Sequence, residues 1–219
     1  MSDLIEILIE GVKKFGGEII AAVLLAVMLG LFPSLRKIFR KKNEDEEVKQ
    51  RLEELQNVMG QTLKLNAKTL YEQGKTYYDA ENYDEALKYL LPAAEQGHAD
   101  AQYKLGNMYN YGWGGVLKDY SKAVKWYRRA AEQGHAKAQR KLGDMYHHAL
   151  GVHRDDSEAA KWYRKAAEQG HAGAQYMLGE MYYYGWGVPE DEAEAVKWYR
   201  KAAEHGYYPA KRALKKMGY

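Results

Sequence analysis

The side chains best suited to chemistry in this 219-residue chain are three histidines near its middle, His147, His148 and His153. Histidine acts as a general base and as a metal ligand, so the group suggests either role. Adjacent residues on a helix point about 100° apart, however, and no carboxylate stands at the spacing of a metal-binding motif. We therefore predict no metal, no cofactor and no catalytic residue at this place.

Other reactive groups are scarce. Cysteine is absent, and serine occurs only at positions 2, 34, 121 and 157. No P-loop, dinucleotide-binding fingerprint or nucleophile elbow is present. Residues 1–42 carry 7 basic and 4 acidic side chains, whereas residues 43–219 carry 26 of each, so the larger part is neutral. Nucleic-acid-binding proteins usually have a basic excess. We predict a protein that is not an enzyme and does not bind nucleic acid.

A repeated segment predicts the elements that position these residues. The sequence AEQGH begins at residues 94, 131 and 167, and the altered form AEHGY begins at residue 203, which gives a period of 36 or 37 residues. Such a period predicts a stack of helix–turn–helix units. We delimit the units as 67–98, 99–135, 136–171 and 172–207, with residues 208–219 as a C-terminal capping helix. Histidines that follow the turn glycines (His98, His135 and His171) are predicted to be structural.

The internal pattern of the units points to a family. Residues 99–207 repeat three motifs: A-x-A-Q and L-G-x-M-Y in the first helix, and a W-Y pair before A-A-E-x-G in the second. This combination resembles the Sel1-like repeat family, and residues 67–98 resemble the related tetratricopeptide pattern. The resemblance implies an all-α, right-handed solenoid that scaffolds other proteins. Ala149 replaces the glycine found at Gly112 and Gly185, so we expect that helix end to be less tightly turned.

Residues that differ between the units are the candidates for binding a partner. Repeated positions serve packing, whereas first helices line the concave surface in solenoids of this kind. The predicted partner-binding residues are Tyr103, Asn107, Asn110, Tyr111, Arg140, Asp144, His147, His148, Tyr176, Glu180, Tyr183 and Tyr184. Tyrosine and arginine are favoured at protein interfaces because they bury a large area and keep a polar tip. The alternative is that some of the tyrosines pack against neighbouring units.

The N-terminal segment predicts a membrane anchor. Residues 1–14 form an amphipathic helix, and the apolar residues 15–35 would span about 31 Å as a helix, which matches a bilayer core. Residues 36–66 contain a basic cluster and then a charged connector helix. The basic cluster predicts contacts with lipid head groups and a cytoplasmic repeat domain, with the N-terminus outside. Its members are Arg36, Lys37, Arg40, Lys41 and Lys42.

Two features of this region suggest self-association. Glu18, Ala22, Ala26 and Gly30 lie on one side of the predicted membrane helix, where small residues let two helices approach closely. In the connector, apolar residues from Val48 to Leu63 follow a heptad-like spacing over about two heptads. The connector is either a short oligomerising stalk or a helix that caps the first repeat.

Three hypotheses for function follow. The first is a single-pass membrane scaffold or adaptor whose cytoplasmic repeats recruit another protein. The second is an oligomeric effector in which the repeats sense a partner and the N-terminal helices form a pore or perturb the bilayer. The third is an exported envelope protein.

Overall fold

The computed structural model describes the backbone from Glu46 to Tyr219, and the side chains of Asn57, Gly60, Gln61 and residues 65–219. This part is entirely helical, and residues 67–219 form one compact unit. Its helices are α1 (Glu46–Asp79), α2 (Tyr83–Glu95), α3 (Ala99–Tyr111), α4 (Tyr120–Glu132), α5 (Ala136–His147), α6 (Asp156–Glu168), α7 (Ala172–Tyr184), α8 (Glu192–Glu204) and α9 (Tyr208–Lys216). From α2 onward, each helix packs against the next one in the chain, which confirms the predicted all-α solenoid.

The predictions for residues 1–42 concern a segment outside the described residues. These are the amphipathic helix, the membrane helix with its small-residue face, and the basic cluster. Within the described part, no helix has the length and apolar character needed to cross a bilayer. The predicted connector is described from Glu46, where α1 begins, and this helix continues through residue 66 to Asp79 without a break. The connector and the first helix of the 67–98 unit are therefore one continuous helix.

Short local signals begin and end the helices. An aspartate precedes each of α4, α6 and α8 and accepts a hydrogen bond from the backbone N–H three residues on, as Asp155 does from Glu158 at 2.8 Å. This is the usual N-cap arrangement. The second helix of each unit is followed by a glycine with positive φ, as α4 is followed by Gly134 with φ 88°. The recurring A-E-Q-G sequence thus ends one unit and leads into the next.

The histidines after these glycines are N-caps. The Nδ1 atom of His135 accepts the backbone N–H of Ala138 at 3.1 Å, and His98 and His171 cap α3 and α7 in the same way. An accepting Nδ1 requires the neutral ring, because a protonated imidazole has no acceptor. Burial lowers the pKa of His98 and of His171, which favours this form. The predicted structural role of the three histidines is confirmed.

A glycine and a tyrosine set the distance between the two helices of a unit. Tyr127, Tyr163 and Tyr199, all in second helices, are essentially inaccessible to solvent. Each ring lies against the glycine of the L-G motif in the first helix, and a Cβ atom added to Gly143 would lie 2.7 Å from the ring of Tyr163. Carbon atoms in contact are normally about 3.5–4.0 Å apart. Only glycine therefore allows this close approach.

Buried glutamines connect successive units. The side-chain amide of Gln139 in α5 donates to the carbonyl of Ala131 in α4 at 3.0 Å, and its oxygen accepts from Gln169 at 2.7 Å. Gln102 forms the equivalent pair of bonds, and in the last unit His205 takes the place of the donating glutamine beside Gln175. A buried amide is costly unless it is hydrogen-bonded. This repeated arrangement holds each first helix to the preceding second helix.

The expectation for Ala149 was wrong. Ala149 adopts φ 57°, close to the 74° of Gly112 and the 69° of Gly185. The next residue, Leu150, donates its N–H to the carbonyl of Met145 at 2.9 Å, which is the same bond that Trp113 and Trp186 make in their units. The turn after α5 therefore closes with the same left-handed residue and the same hydrogen bond as the other two, although α5 ends one residue earlier in its unit than α3 and α7. Packing of the turn imposes a left-handed conformation on a residue with a Cβ atom.

Candidate partner-binding surface

One predicted position is exposed in all three units that carry it. Tyr111, His148 and Tyr184 lie at the ends of the first helices, where Tyr111 is 47% and Tyr184 is 48% exposed. The ring of Tyr111 stacks on Trp113, and the ring of Tyr184 stacks on Trp186, both with centroids 4.6 Å apart. Stacking holds these large side chains in place while about half of each remains exposed.

Tyrosines at a second predicted position pack between units. Tyr103 stacks on His135, the N-cap of the next unit, with ring centroids 4.8 Å apart, and Tyr176 lies against Tyr207 at 5.4 Å. Burial and the nearby Glu180 raise the pKa of Tyr176 to about 12. Arg140, at the equivalent position, instead pairs with Asp144 at 3.3 Å. Each of these side chains contacts other residues of the solenoid and is also partly exposed to solvent.

At the third position, acceptor oxygens hold the buried tyrosine hydroxyls. The hydroxyl of Tyr163 donates to Oδ1 of Asp144 at 2.8 Å, and the equivalent tyrosines Tyr127 and Tyr199 donate to Asn107 and Glu180. Burial raises the pKa of Tyr163, so its hydroxyl keeps the proton that it donates. Asn107 is only 8% exposed and lies beneath the surface. The acceptor role is common to Asn, Asp and Glu, which explains why the residue type changes between units.

The fourth position is mostly half-buried. Nδ1 of His147 lies 2.7 Å from Oδ1 of Asp156, and its ring packs against Trp186 of the next unit. Burial alone would raise the pKa of Asp156, but hydrogen bonds from Arg154 and His147 lower it. Asn110 and Tyr183 are the other two members of this position. The part of the chain that the structure describes contains no cluster of three or more acidic, His or Cys residues arranged to hold a metal ion.

These positions form a surface that continues from unit to unit, which we call the first-helix face. Lys141 of α5 donates to the hydroxyl of Tyr111 in α3 at 3.3 Å, and His147 of α5 contacts Trp186 after α7 at 5.0 Å between ring centroids. The face ends in a cavity of about 780 Å³ between α7, α8 and α9. Residues from different units thus reach the same surface.

A family comparison accounts for this architecture. The model of the Sel1 repeat matches residues 67–98, 99–135, 136–171 and 172–207, which together make up more than half of the chain. The chain belongs to the Sel1 repeat family. Sel1 repeat proteins are scaffolds for protein–protein interaction. The first unit, which resembled the tetratricopeptide pattern, is thus a Sel1 repeat as well.

Solved structures of other Sel1 repeat proteins are similar to this chain. One is a protective antigen from uropathogenic Escherichia coli displaying an SLR fold, with 41% identity, a TM-score of 0.66, and coverage of 69% of this chain and 33% of the antigen. Another is a Sel1 repeat protein from Oxalobacter formigenes, with 42% identity, a TM-score of 0.61, and coverage of 64% and 57%. The chain therefore spans about a third and somewhat over half of their lengths. No curated protein matches the chain.

Sequence reasoning did not include several residues of the first-helix face. Trp113 and Trp186 belong to the turns after the first helices, where the sequence pattern indicates only a connection. Arg212 and Lys216 of α9 line the terminal cavity. Adding the Sel1 period of 36 residues to Tyr176 and Glu180 leads to these two basic residues, so the repeat register contained a signal for them. Helix α9 both covers the last repeat and extends its first-helix face.

Proposed function

We propose that this Sel1 repeat protein is a membrane-anchored scaffold whose first-helix face binds another protein. The observation that carries the proposal is the division between repeated and variable residues. The repeated Leu, Gly, Ala and Gln of the L-G and A-Q pairs in the first helices are buried, whereas the variable position of Tyr111, His148 and Tyr184 is exposed in all three units that carry it. Packing does not require these exposed aromatic residues, which leaves them available for recognition.

The chemistry of this face suits a protein partner. Tyrosine and tryptophan dominate the energetically important contacts of protein interfaces, since they desolvate a large area at a low entropic cost. The stacked pairs Tyr111–Trp113 and Tyr184–Trp186 are also preorganised. Preorganised side chains lose little freedom on binding. The half-buried Tyr103, Arg140, Asn110, Tyr176 and Tyr183 would form the border of the contact.

A matched pair of triple variants tests this proposal. Tyr111→Ala, His148→Ala and Tyr184→Ala remove the exposed aromatic position from three units. The control replaces Lys125, Lys161 and Lys197 by alanine, which alters one exposed position of the second helices in the same three units. Changes at exposed sites usually alter stability by about 0.5 kcal/mol or less, so both variants should fold.

The measurement is capture of cellular proteins by the full-length chain, followed by mass spectrometry. A partner that the wild type and the lysine control retain, and that the aromatic variant loses, supports the proposal. Equal retention by all three proteins would contradict the assignment of the first-helix face. Far-ultraviolet circular dichroism should show the same helicity in each.

Residues 15–35 are proposed as the anchor that places this scaffold at a membrane. The support is the length of the apolar segment and the five basic residues that follow it, which favour a cytoplasmic repeat domain. Ala22, Ala26 and Gly30 provide a face for self-association of the anchors. A C-terminal reporter that is active only in the cytoplasm tests the topology. An inactive reporter would contradict the orientation and favour an exported protein.

A further inference from the structure

The cavity at the end of the first-helix face differs in charge from the rest of that face. Its lining comes from α7, α8 and α9 and includes Arg212, Lys215 and Lys216. Among the described residues, none of these three side chains forms an ion pair, a hydrogen bond or a ring contact. Lys104 and Arg140, by contrast, are both paired with aspartates. Three cations without partners therefore border one cavity.

Among the described residues of the lining, Glu180 is the only carboxylate. Its carboxylate accepts a hydrogen bond from the hydroxyl of the buried Tyr199 and helps to raise the pKa of Tyr176. Glu180 contributes one negative charge, against the three positive charges of Arg212, Lys215 and Lys216. The cavity consequently presents an excess of positive charge to whatever enters it.

The remaining lining is aromatic and apolar. Tyr184 and Tyr208 are 48% and 68% exposed, and Pro209 and Met217 lie beside them. A volume of about 780 Å³ falls within the usual range for ligand sites, about 300–1,000 Å³. This space accepts a few residues of an extended chain. Large apolar side chains would contact the tyrosines, while acidic neighbours would reach the cations along α9.

We infer that this cavity binds an acidic, aromatic-containing peptide segment of the partner protein. The inference rests on the proposed scaffold function and adds the chemistry of the bound segment. Carboxylates form charge-assisted hydrogen bonds with arginine and lysine, and bidentate contacts to arginine are among the strongest of these. The excess positive charge also speeds the approach of an acidic segment.

Lysines in the last turn of a helix also have a purely structural explanation. Lys215 and Lys216 lie in the last turn of α9, where their positive charges interact favourably with the negative end of the helix dipole and stabilise the helix. That explanation does not include Arg212, which lies one turn earlier and aligns with Tyr176 in the repeat register. The experiment therefore measures folding separately from binding.

The test uses the full chain in a neutral detergent and a fluorescein-labelled peptide of glutamate and phenylalanine only. The counterpart with glutamine in place of glutamate is the charge-free probe. Fluorescence anisotropy should show binding of the acidic peptide, weakening with added salt, and much weaker binding of the glutamine peptide. The charge variant combines Arg212→Gln, Lys215→Gln and Lys216→Gln. It should lose about tenfold in affinity, as expected for three exposed ion pairs.

A second triple variant controls for net charge. Lys75→Gln, Lys125→Gln and Lys137→Gln also remove three exposed charges, none of which lines the cavity or forms an ion pair with described residues. This variant should bind within about twofold of the wild type, since distant exposed charges are screened by salt. Tyr184→Ala should weaken binding of the acidic peptide without changing its salt dependence.

Three results would overturn the inference. These are no binding of the acidic peptide, equal losses in the two triple variants, or displacement of the labelled peptide by anionic phospholipid, added in mixed micelles with the detergent, in preference to unlabelled peptide. Its failure is distinguishable from failure of the scaffold proposal. A scaffold that loses its partner in the Tyr111, His148 and Tyr184 variant but ignores the acidic peptide has a different ligand chemistry. If the partner is also retained by that variant, both proposals fail.

Discussion

Replacing Gly143 by alanine tests how closely the two helices of a repeat approach. The added Cβ atom would lie 2.7 Å from two ring carbons of Tyr163 and 3.0 Å from a third. Ordinary contacts between carbon atoms are about 3.5–4.0 Å, so the ring would have to retreat by roughly 1 Å. It has no free space for this, because it is fully buried and its hydroxyl donates to Asp144 at 2.8 Å.

The expected effect is a loss of about 2 kcal/mol in the free energy of unfolding. Overpacking a buried site costs about 1–3 kcal/mol. Weakening the hydrogen bond to Asp144 costs about 1 kcal/mol. Alanine regains about 1 kcal/mol relative to glycine through its higher helix propensity. Crowding therefore outweighs propensity, although Gly143→Ala in an unconstrained helix would be stabilising.

Urea unfolding followed by circular dichroism measures this change, and a second background provides the control. In a Tyr163→Leu protein the ring is gone, so Gly143→Ala should be neutral or stabilising there. The difference between the two backgrounds isolates the interaction between the two positions. Hydrogen exchange should also accelerate mainly in α5 and α6, because the stability of a solenoid is largely local. A gain in stability on the wild-type background, or equal effects in both backgrounds, would refute the reasoning.

Three further predictions concern single features of the repeats. Ala149→Gly should raise the free energy of unfolding by about 1 kcal/mol, because glycine adopts the left-handed conformation without a Cβ penalty; an unchanged urea midpoint would contradict this. Burial lowers the pKa of His98 and of His171 below the ordinary 6.5. The unfolded chain therefore binds more protons than the folded chain below this pH. The melting temperature should be constant above about pH 6.5 and should fall as the pH is lowered further. Replacing both histidines by asparagine, a cap that does not titrate, should flatten this decline, and an unaltered decline would rule out the caps as its cause. Gln139→Leu should cost about 1–2 kcal/mol in urea unfolding, since it removes two buried hydrogen bonds, although the carbonyl of Ala131 keeps the N–H of Gly134 and the amide of Gln169 keeps the carbonyl of Lys165; no loss would mean that the two removed bonds do not contribute to stability.

Most of the fold could be predicted from the sequence, because the residues that determine it act locally. The turn glycines, the capping histidines and the L-G motif each act within one helix or one turn, and their recurrence every 36 or 37 residues strengthens each weak signal. The candidate site was only partly readable. Tyr111, His148 and Tyr184 were predicted and are exposed, whereas Asn107 was predicted and is buried. The amide oxygen of Asn107 accepts a hydrogen bond from the hydroxyl of Tyr127, 20 residues further along the chain.

The sequence by itself determined the period, the number of complete repeats and the glycine turns that end the second helices, since all of these depend on propensity and short-range hydrogen bonds. Tertiary structure decided what each variable residue does. Asn107, Asp144 and Glu180 differ in type yet hold equivalent buried hydroxyls, which became apparent only when the second helix was packed against the first. Packing likewise forced Ala149 into a glycine conformation and brought Arg212 beside Tyr184 at one cavity. These outcomes depend on distances between helices, and composition and spacing along one chain do not encode such distances directly.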